Sequence, residues 1–301
     1  MKTSVYVLAI AVAWFVTGGR LQAEPVSLPY KGISLVGEFV VAPNQQATDS
    51  VVLILHGTLA HLGMETIAGL QNVLTERGHN TLSINLGFGV NNRTGMYDCA
   101  IPHRHRYDDA LGELAAWVNW LVARGIQDIT LLGHSRGGAQ AALFGAQPGQ
   151  AQVKRLVLLA PALWDAEKAA TAFEQNHGRP LAEALTEART LAHAGKGNEV
   201  MKGIGLLYCR GADATADSFL SYYDPDPRFD TAALLPGIHR PVLVVAAGQD
   251  QVVPDVARKV RPLMHGDQRQ LVVVEGAGHF FRDLYAEDVA DAIDIFLGPE
   301  S

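Results

Sequence analysis

Short, wholly apolar, β-branched runs recur along this chain, with helical patterns between them. Ser50–Leu55 (SVVLIL) is the first, and the type returns at Thr81–Leu86, Ile129–Leu132, Leu156–Leu159, Val242–Ala246 and Leu271–Val274. A strand with no polar side must be buried on both faces, as strands are in a parallel sheet. Val36–Val41 reads as one more strand. The clearest helix is Tyr107–Arg124, where Ala110, Leu111, Leu114, Trp117, Val118, Leu121 and Val122 share a face and Gly125 ends the pattern. Thr66–Arg77, Gly138–Ala146, Pro254–Met264 and Ala286–Leu297 are further candidates. Strands alternating with helices predict an α/β fold: a mostly parallel central sheet flanked by helices.

The rhythm breaks once. From Asp165 to about Leu235 there is no strong strand. Ala/Glu-rich helical patterns at Asp165–Gln175 and Pro180–Ala194 precede a Gly-rich and then an Asp/Pro-rich passage. The stretch lies between two core strands, so it is expected to be a helical cap inserted at about 165–235 of one domain spanning 24–301.

The N-terminus carries a different signal. Lys2 precedes an uninterrupted apolar run, Val5–Val16, and Leu21-Gln22-Ala23 has the form of a cleavage site before Glu24-Pro25. This is the layout of a secretory signal peptide, here residues 1–23. The run is short for a membrane anchor, since spanning about 30 Å of hydrocarbon takes roughly 20 apolar residues. The expectation is an exported protein, periplasmic or secreted, with no stable membrane span after cleavage. Export bears on Cys99 and Cys209, the only two cysteines. Disulfides persist in oxidising compartments, so an even count is compatible with one bridge, free thiols being the alternative.

Charge narrows the partners. The formal net charge is −7, and the one basic cluster, His103-Arg104-His105-Arg106, runs at once into Asp108 and Asp109. That is no electrostatic footprint for nucleic acid.

Gly133-His134-Ser135-Arg136-Gly137 is a G-x-S-x-G motif between the apolar run Ile129–Leu132 and a small-residue helix pattern starting at Gly138. Strand, sharp turn and helix are the context that pushes such a serine into a cleft. A serine hydroxyl needs a base to take its proton, and the base a partner to orient it. His279 follows the strand Leu271–Val274 in Gly276-Ala277-Gly278-His279, and Asp250 follows Val242–Ala246 in Gly248-Gln249-Asp250-Gln251. All three sit where strands end, which is where such sheets gather their reactive groups. Asp165 is the reserve for the acid. Oxyanion donors are expected from the backbone N–H of Arg136 and from the loop His56-Gly57-Thr58-Leu59, with Thr58 favoured and Leu59 as its alternate.

On these motifs the chain resembles the α/β-hydrolase superfamily over nearly all of its mature region, in the branch with a small helical cap. The resemblance implies a serine hydrolase acting on a small-molecule carboxylic ester through an acyl-enzyme, with no metal and no organic cofactor. Peptidase or amidase chemistry, or C–C bond hydrolysis, would use the same triad. A non-catalytic binding protein would not need all three residues. One region departs from the family: Asn85-Leu86-Gly87-Phe88-Gly89 leads into a long polar stretch, Asn91–Arg106. It starts at a strand end, so His103 and His105 are candidates for substrate contact alongside His56 and Leu59. The competing reading of the two histidines is a surface loop. Two His two apart lack the third ligand a zinc site needs.

Overall fold

The computed structural model describes residues 22–266 and 268–298. The signal-peptide expectation for 1–23 therefore falls, apart from Gln22 and Ala23, outside the described residues.

The strands are β1 (Gln22–Tyr30), β2 (Ile33–Val41), β3 (Val51–Leu55), β4 (Asn80–Ile84), β5 (Ile129–His134), β6 (Val153–Leu159), the short pair β7 (Val200–Met201) and β8 (Ala214–Thr215), then β9 (Val242–Ala247) and β10 (Arg269–Val274). Eight form one sheet in the order β1-β2-β4-β3-β5-β6-β9-β10, with β7 and β8 apart. From β4 to β10 every pairing is parallel; β1/β2 and β2/β4 are antiparallel. This is the expected α/β architecture.

β1 is the strand that apolar runs did not reveal. It holds Pro25 and Pro29, which remove ladder donors. Such a segment survives only at a sheet edge, and among the described residues β1 pairs with β2 alone.

The helices are α1 (Glu65–Glu76), α2 (Asp109–Val122), α3 (Arg136–Gly145), α4 (Ala166–His177), α5 (Leu181–His193), α6 (Ala216–Tyr223), α7 (Thr231–Leu234), α8 (Val256–Val260) and α9 (Tyr285–Leu297). The strands' alternation sorts the core into two layers. Leu53, Leu55, Leu131, Val242 and Val244 join Leu114, Trp117 and Leu121 of α2, Phe144 of α3 and Val256 of α8. Val52, Ile54, Leu132, Leu243 and Val245 join Ile67, Leu70 and Leu74 of α1 with Val289 and Ile293 of α9. One face of the sheet thus carries α2, α3 and α8, and the other α1 and α9.

Between β6 and β9 the chain leaves the sheet and builds α4 to α7. A third apolar cluster, with Phe173, Leu181, Leu185, Phe219 and Tyr222, holds this insertion together and takes in Tyr107 and Leu143 from outside it. Two further ties reach the stretch 91–106. His103 bridges to Ala214, and Cys99 is joined to Cys209 by a disulfide with Cα atoms 5.3 Å apart. Among the described residues no helix is long and apolar enough to cross a membrane.

Candidate active site

Ser135 stands between β5 and α3 with φ 56° and ψ −121°. A non-glycine residue holds such a conformation only where its surroundings over-determine it. Here Ser135 N–H donates to Leu159 O at 2.9 Å, and Ser135 O accepts from Gly138 N–H and Ala162 N–H, each at 2.9 Å. The glycines of the motif make room for the turn: a Cβ on Gly137 would overlap the His56 carbonyl. Gly57 brings the loop after β3 against the serine, since a Cβ there would lie 3.2 Å from that of Ser135.

Three residues expected to act together are brought together. Ser135 Oγ lies 3.0 Å from His279 Nε2, and Asp250 Oδ2 lies 2.8 Å from His279 Nδ1. Asp250 is fixed further by the N–H groups of Val252 and Val253, which donate to Oδ1 at 2.7 and 2.8 Å. Burial alone would raise the Asp250 pKa, but the bonds from His279 and the two amides outweigh it and hold the carboxyl below its ordinary range. Asp165, the reserve acid, lines the same cavity but is engaged with α4, which it caps by accepting from Lys168 N–H, and the carboxylate on His279 is that of Asp250.

His134 belongs to the same group and was not singled out from the sequence. Its Nε2–H donates to the His279 carbonyl at 2.9 Å, and burial lowers its pKa to about 4. A neutral ring next to Ser135 thereby pins the backbone that carries His279. Its place as the second residue of the G-x-S-x-G motif was the only signal available.

A cavity of about 580 Å³ opens over Ser135 and His279. Its wall includes Gly57, Thr58 and Arg136, with Phe173, Tyr222 and Tyr223 from the insertion and Val252 and Phe280 from the loops after β9 and β10. Thr58 and Arg136 face each other, Arg136 Nε donating to Thr58 Oγ1 at 3.1 Å.

The other four candidates are not in that wall. His56 is fully buried: its Nδ1–H donates to Gly57 O at 2.8 Å, and its Nε2 faces Leu86 N–H at 3.1 Å and an Arg93 nitrogen at 3.0 Å. Burial first, then the Arg93 charge, lowers its pKa to about 3, so it stays neutral. Leu59 is buried with φ 50°, and its carbonyl accepts from Tyr97 N–H. His103 and His105 are in the interior, against both the substrate-contact and surface-loop readings. His103 Nδ1 lies 2.9 Å from His105 Nε2, and His105 Nδ1 lies 2.9 Å from the Tyr222 hydroxyl. The reason is tertiary. His103 N–H donates to Asp213 O and its carbonyl accepts from Thr215 N–H, so this loop is stitched to the insertion with its rings turned inward. Among the described residues no group of three or more His, Cys, Asp or Glu side chains gathers to hold a metal.

A family model described as the alpha/beta hydrolase family matches residues 51–292. The chain belongs to that family. The match spans β3 through most of α9 and so contains Ser135, Asp250 and His279. Solved structures share the fold of this alpha/beta hydrolase. Est1E from Butyrivibrio proteoclasticus aligns with a TM-score of 0.61 and 19% identity, over 91% of this chain and 97% of that one. The esterase Pf2001 from Pyrococcus furiosus aligns with a TM-score of 0.58 and 17% identity, over 92% of each chain. A monoacylglycerol lipase from Paleococcus ferrophilus aligns with a TM-score of 0.60 and 17% identity, over 87% and 98%. A search of curated protein sequences gave no match.

Proposed function

We propose that this alpha/beta hydrolase is a serine hydrolase that cleaves a carboxylic ester through an acyl-enzyme. The observation that carries the reading is the continuous hydrogen-bond path Ser135–His279–Asp250, open to a cavity. In this mechanism Ser135 Oγ attacks the ester carbonyl as its proton passes to His279 Nε2. Asp250 holds the imidazole by Nδ1 and stabilises the cation that forms. The tetrahedral oxyanion is met by the backbone N–H of Arg136, at the start of α3, and by that of Thr58. His279 then protonates the leaving alcohol, which departs. Water enters, gives a proton to His279 and attacks the acyl carbon, and collapse returns the proton to Ser135 with release of the acid.

The esterase and lipase names among the structural neighbours accord with an ester substrate, as does the largely apolar wall, where Met64, Trp164, Phe173 and Leu207 supply acyl-binding surface. The test is release of product from a series of 4-nitrophenyl esters and anilides, with a fluorophosphonate probe on the same preparation. Ester turnover with Ser135 labelled is expected. Anilide turnover exceeding that of every ester would replace ester by amide, and labelling elsewhere would remove the nucleophile.

Export is part of the same proposal. The apolar run Val5–Val16 motivates it, and the Cys99–Cys209 disulfide is what an oxidising compartment preserves. Cleavage before Glu24 would leave Glu24–Tyr30 of β1 to pair with β2. Mature protein from the periplasm or medium is expected to begin near Glu24; soluble cytoplasmic protein beginning at Met1 would contradict this.

A further inference from the structure

We propose that the substrate carries a second, free carboxylate and that the Arg136 side chain recognises it. The inference rests on the ester-hydrolase reading and narrows its substrate class.

Arg136 follows the nucleophile directly and is one of the residues that line the cavity. Nε is held by Thr58 Oγ1 at 3.1 Å, and the guanidinium carbon lies 5.5 Å from the Tyr222 ring centroid and 5.9 Å from that of Tyr107. One anchored nitrogen and two aromatic rings fix the fork. Among the described residues no carboxylate pairs with it, and its two terminal nitrogens have no hydrogen-bond partner.

The charges around it leave it in that state. Two further cations, Lys168 and Lys259, line the cavity, against the carboxylates of Asp165 and Asp255. Asp255 is taken by Lys168 and Arg258, at 2.5 and 2.8 Å. Asp165 accepts from Lys168 N–H and feels the Lys259 charge. Both cavity acids are thus engaged away from Arg136. A chain of net charge −7 has concentrated an uncompensated cation beside its reactive serine. The Arg136 side chain is half-buried, and its planar fork matches a carboxylate with two parallel hydrogen bonds. An anion brought in by the substrate would give that fork its partner.

Two pairs of esters place the free carboxylate on either side of the scissile bond. On the acyl side, glutaric acid mono(4-nitrophenyl) ester is compared with its methyl ester. On the alcohol side, 4-carboxyphenyl butyrate is compared with its methyl ester. A charge-assisted bond of this kind corresponds to about tenfold or more in kcat/KM. At least one charged ester is expected to be preferred by that factor. Arg136→Gln, which keeps the backbone N–H, should bring the ratio close to one, and Arg136→Lys should keep part of it. Calorimetric titration of glutarate and of 4-hydroxybenzoate gives a readout that does not depend on turnover. Wild-type protein should bind at least one of them about tenfold more tightly than Arg136→Gln. Binding of this kind without turnover of any ester would support the anion site and count against ester hydrolysis. Equal rates for charged and neutral esters in both pairs, with no Arg136-dependent binding, would overturn the anion site even if Ser135 is labelled and active.

Discussion

A side-chain nitrogen of Arg93 lies 3.0 Å from Nε2 of His56, and both side chains are buried. Arg93 also donates to the carbonyls of Leu86 and Gly95. It thereby ties the stretch after β4 to the loop that carries Thr58. Arg93→Met would leave the buried Leu86 carbonyl without this donor, at about 1–3 kcal/mol, and would take from His56 Nε2 one of its two donors. The variant is expected to unfold at lower urea and to lose at least about tenfold in kcat as Thr58 shifts from an oxyanion. Unchanged kcat in a folded variant would show that this tie does not hold the donor.

Ser135→Ala should lower kcat by about four orders of magnitude or more, because the three residues act as a unit. The thermal midpoint should change little. Retained turnover in this variant would remove Ser135 as nucleophile.

Glu113 is a buried carboxyl that accepts from Gly87 N–H at 2.7 Å. Burial raises its pKa from 4.5 to about 7. Between those values the native state keeps a proton that the unfolded chain has released. Stability therefore falls as pH rises through that window and levels off above it, by a total on the order of 3 kcal/mol. Glu113→Gln should match the wild type near pH 4 and exceed it at pH 8, measured by urea unfolding. Parallel curves for the two proteins would show that Glu113 is ionised in the fold at neutral pH.

The Cys99–Cys209 disulfide closes a loop of 110 residues and joins the stretch before α2 to the insertion. Replacing both by serine should cost about 2–5 kcal/mol, since the unfolded chain regains that loop entropy. Met96 and Tyr208 lie near the two ends of the bridge and both line the cavity, so substrate KM should rise as well. Non-reducing mass analysis of the native protein checks the bridge itself; two freely alkylated thiols would dismiss it.

The five apolar residues Phe173, Leu181, Leu185, Phe219 and Tyr222 divide in two. Phe173 and Tyr222 line the cavity, whereas Leu181, Leu185 and Phe219 belong only to the insertion's core. Phe173→Ala should change the preference for acyl chain length. Leu185→Ala should leave that preference alone and lower stability by about 2–5 kcal/mol. Equal loss on every ester for both variants would make the insertion structural only.

Much of the fold was legible because burial on both faces leaves a local trace. Leu53 and Ile54 point into opposite layers, and both had to be apolar, so the run announces a central strand without reference to anything distant. β1 left no such trace, since an edge strand with two prolines is defined by its partner β2 and not by its own pattern.

The site divides along the same line. The sequence by itself determined the turn at Ser135, because a strand, closely set glycines and a helix specify that backbone within a dozen residues. It also placed Asp250 and His279 at strand ends. Only the tertiary structure decided that their side chains meet Ser135 at hydrogen-bond distance, since 144 residues separate Ser135 from His279 and the order of β5, β6, β9 and β10 sets that approach. It likewise turned His103 and His105 inward and left Arg136 in the cavity. Whether a polar side chain faces solvent, core or cavity depends on what packs over it. Here that is the insertion and the loop stitched to it, whose partners lie more than a hundred residues away.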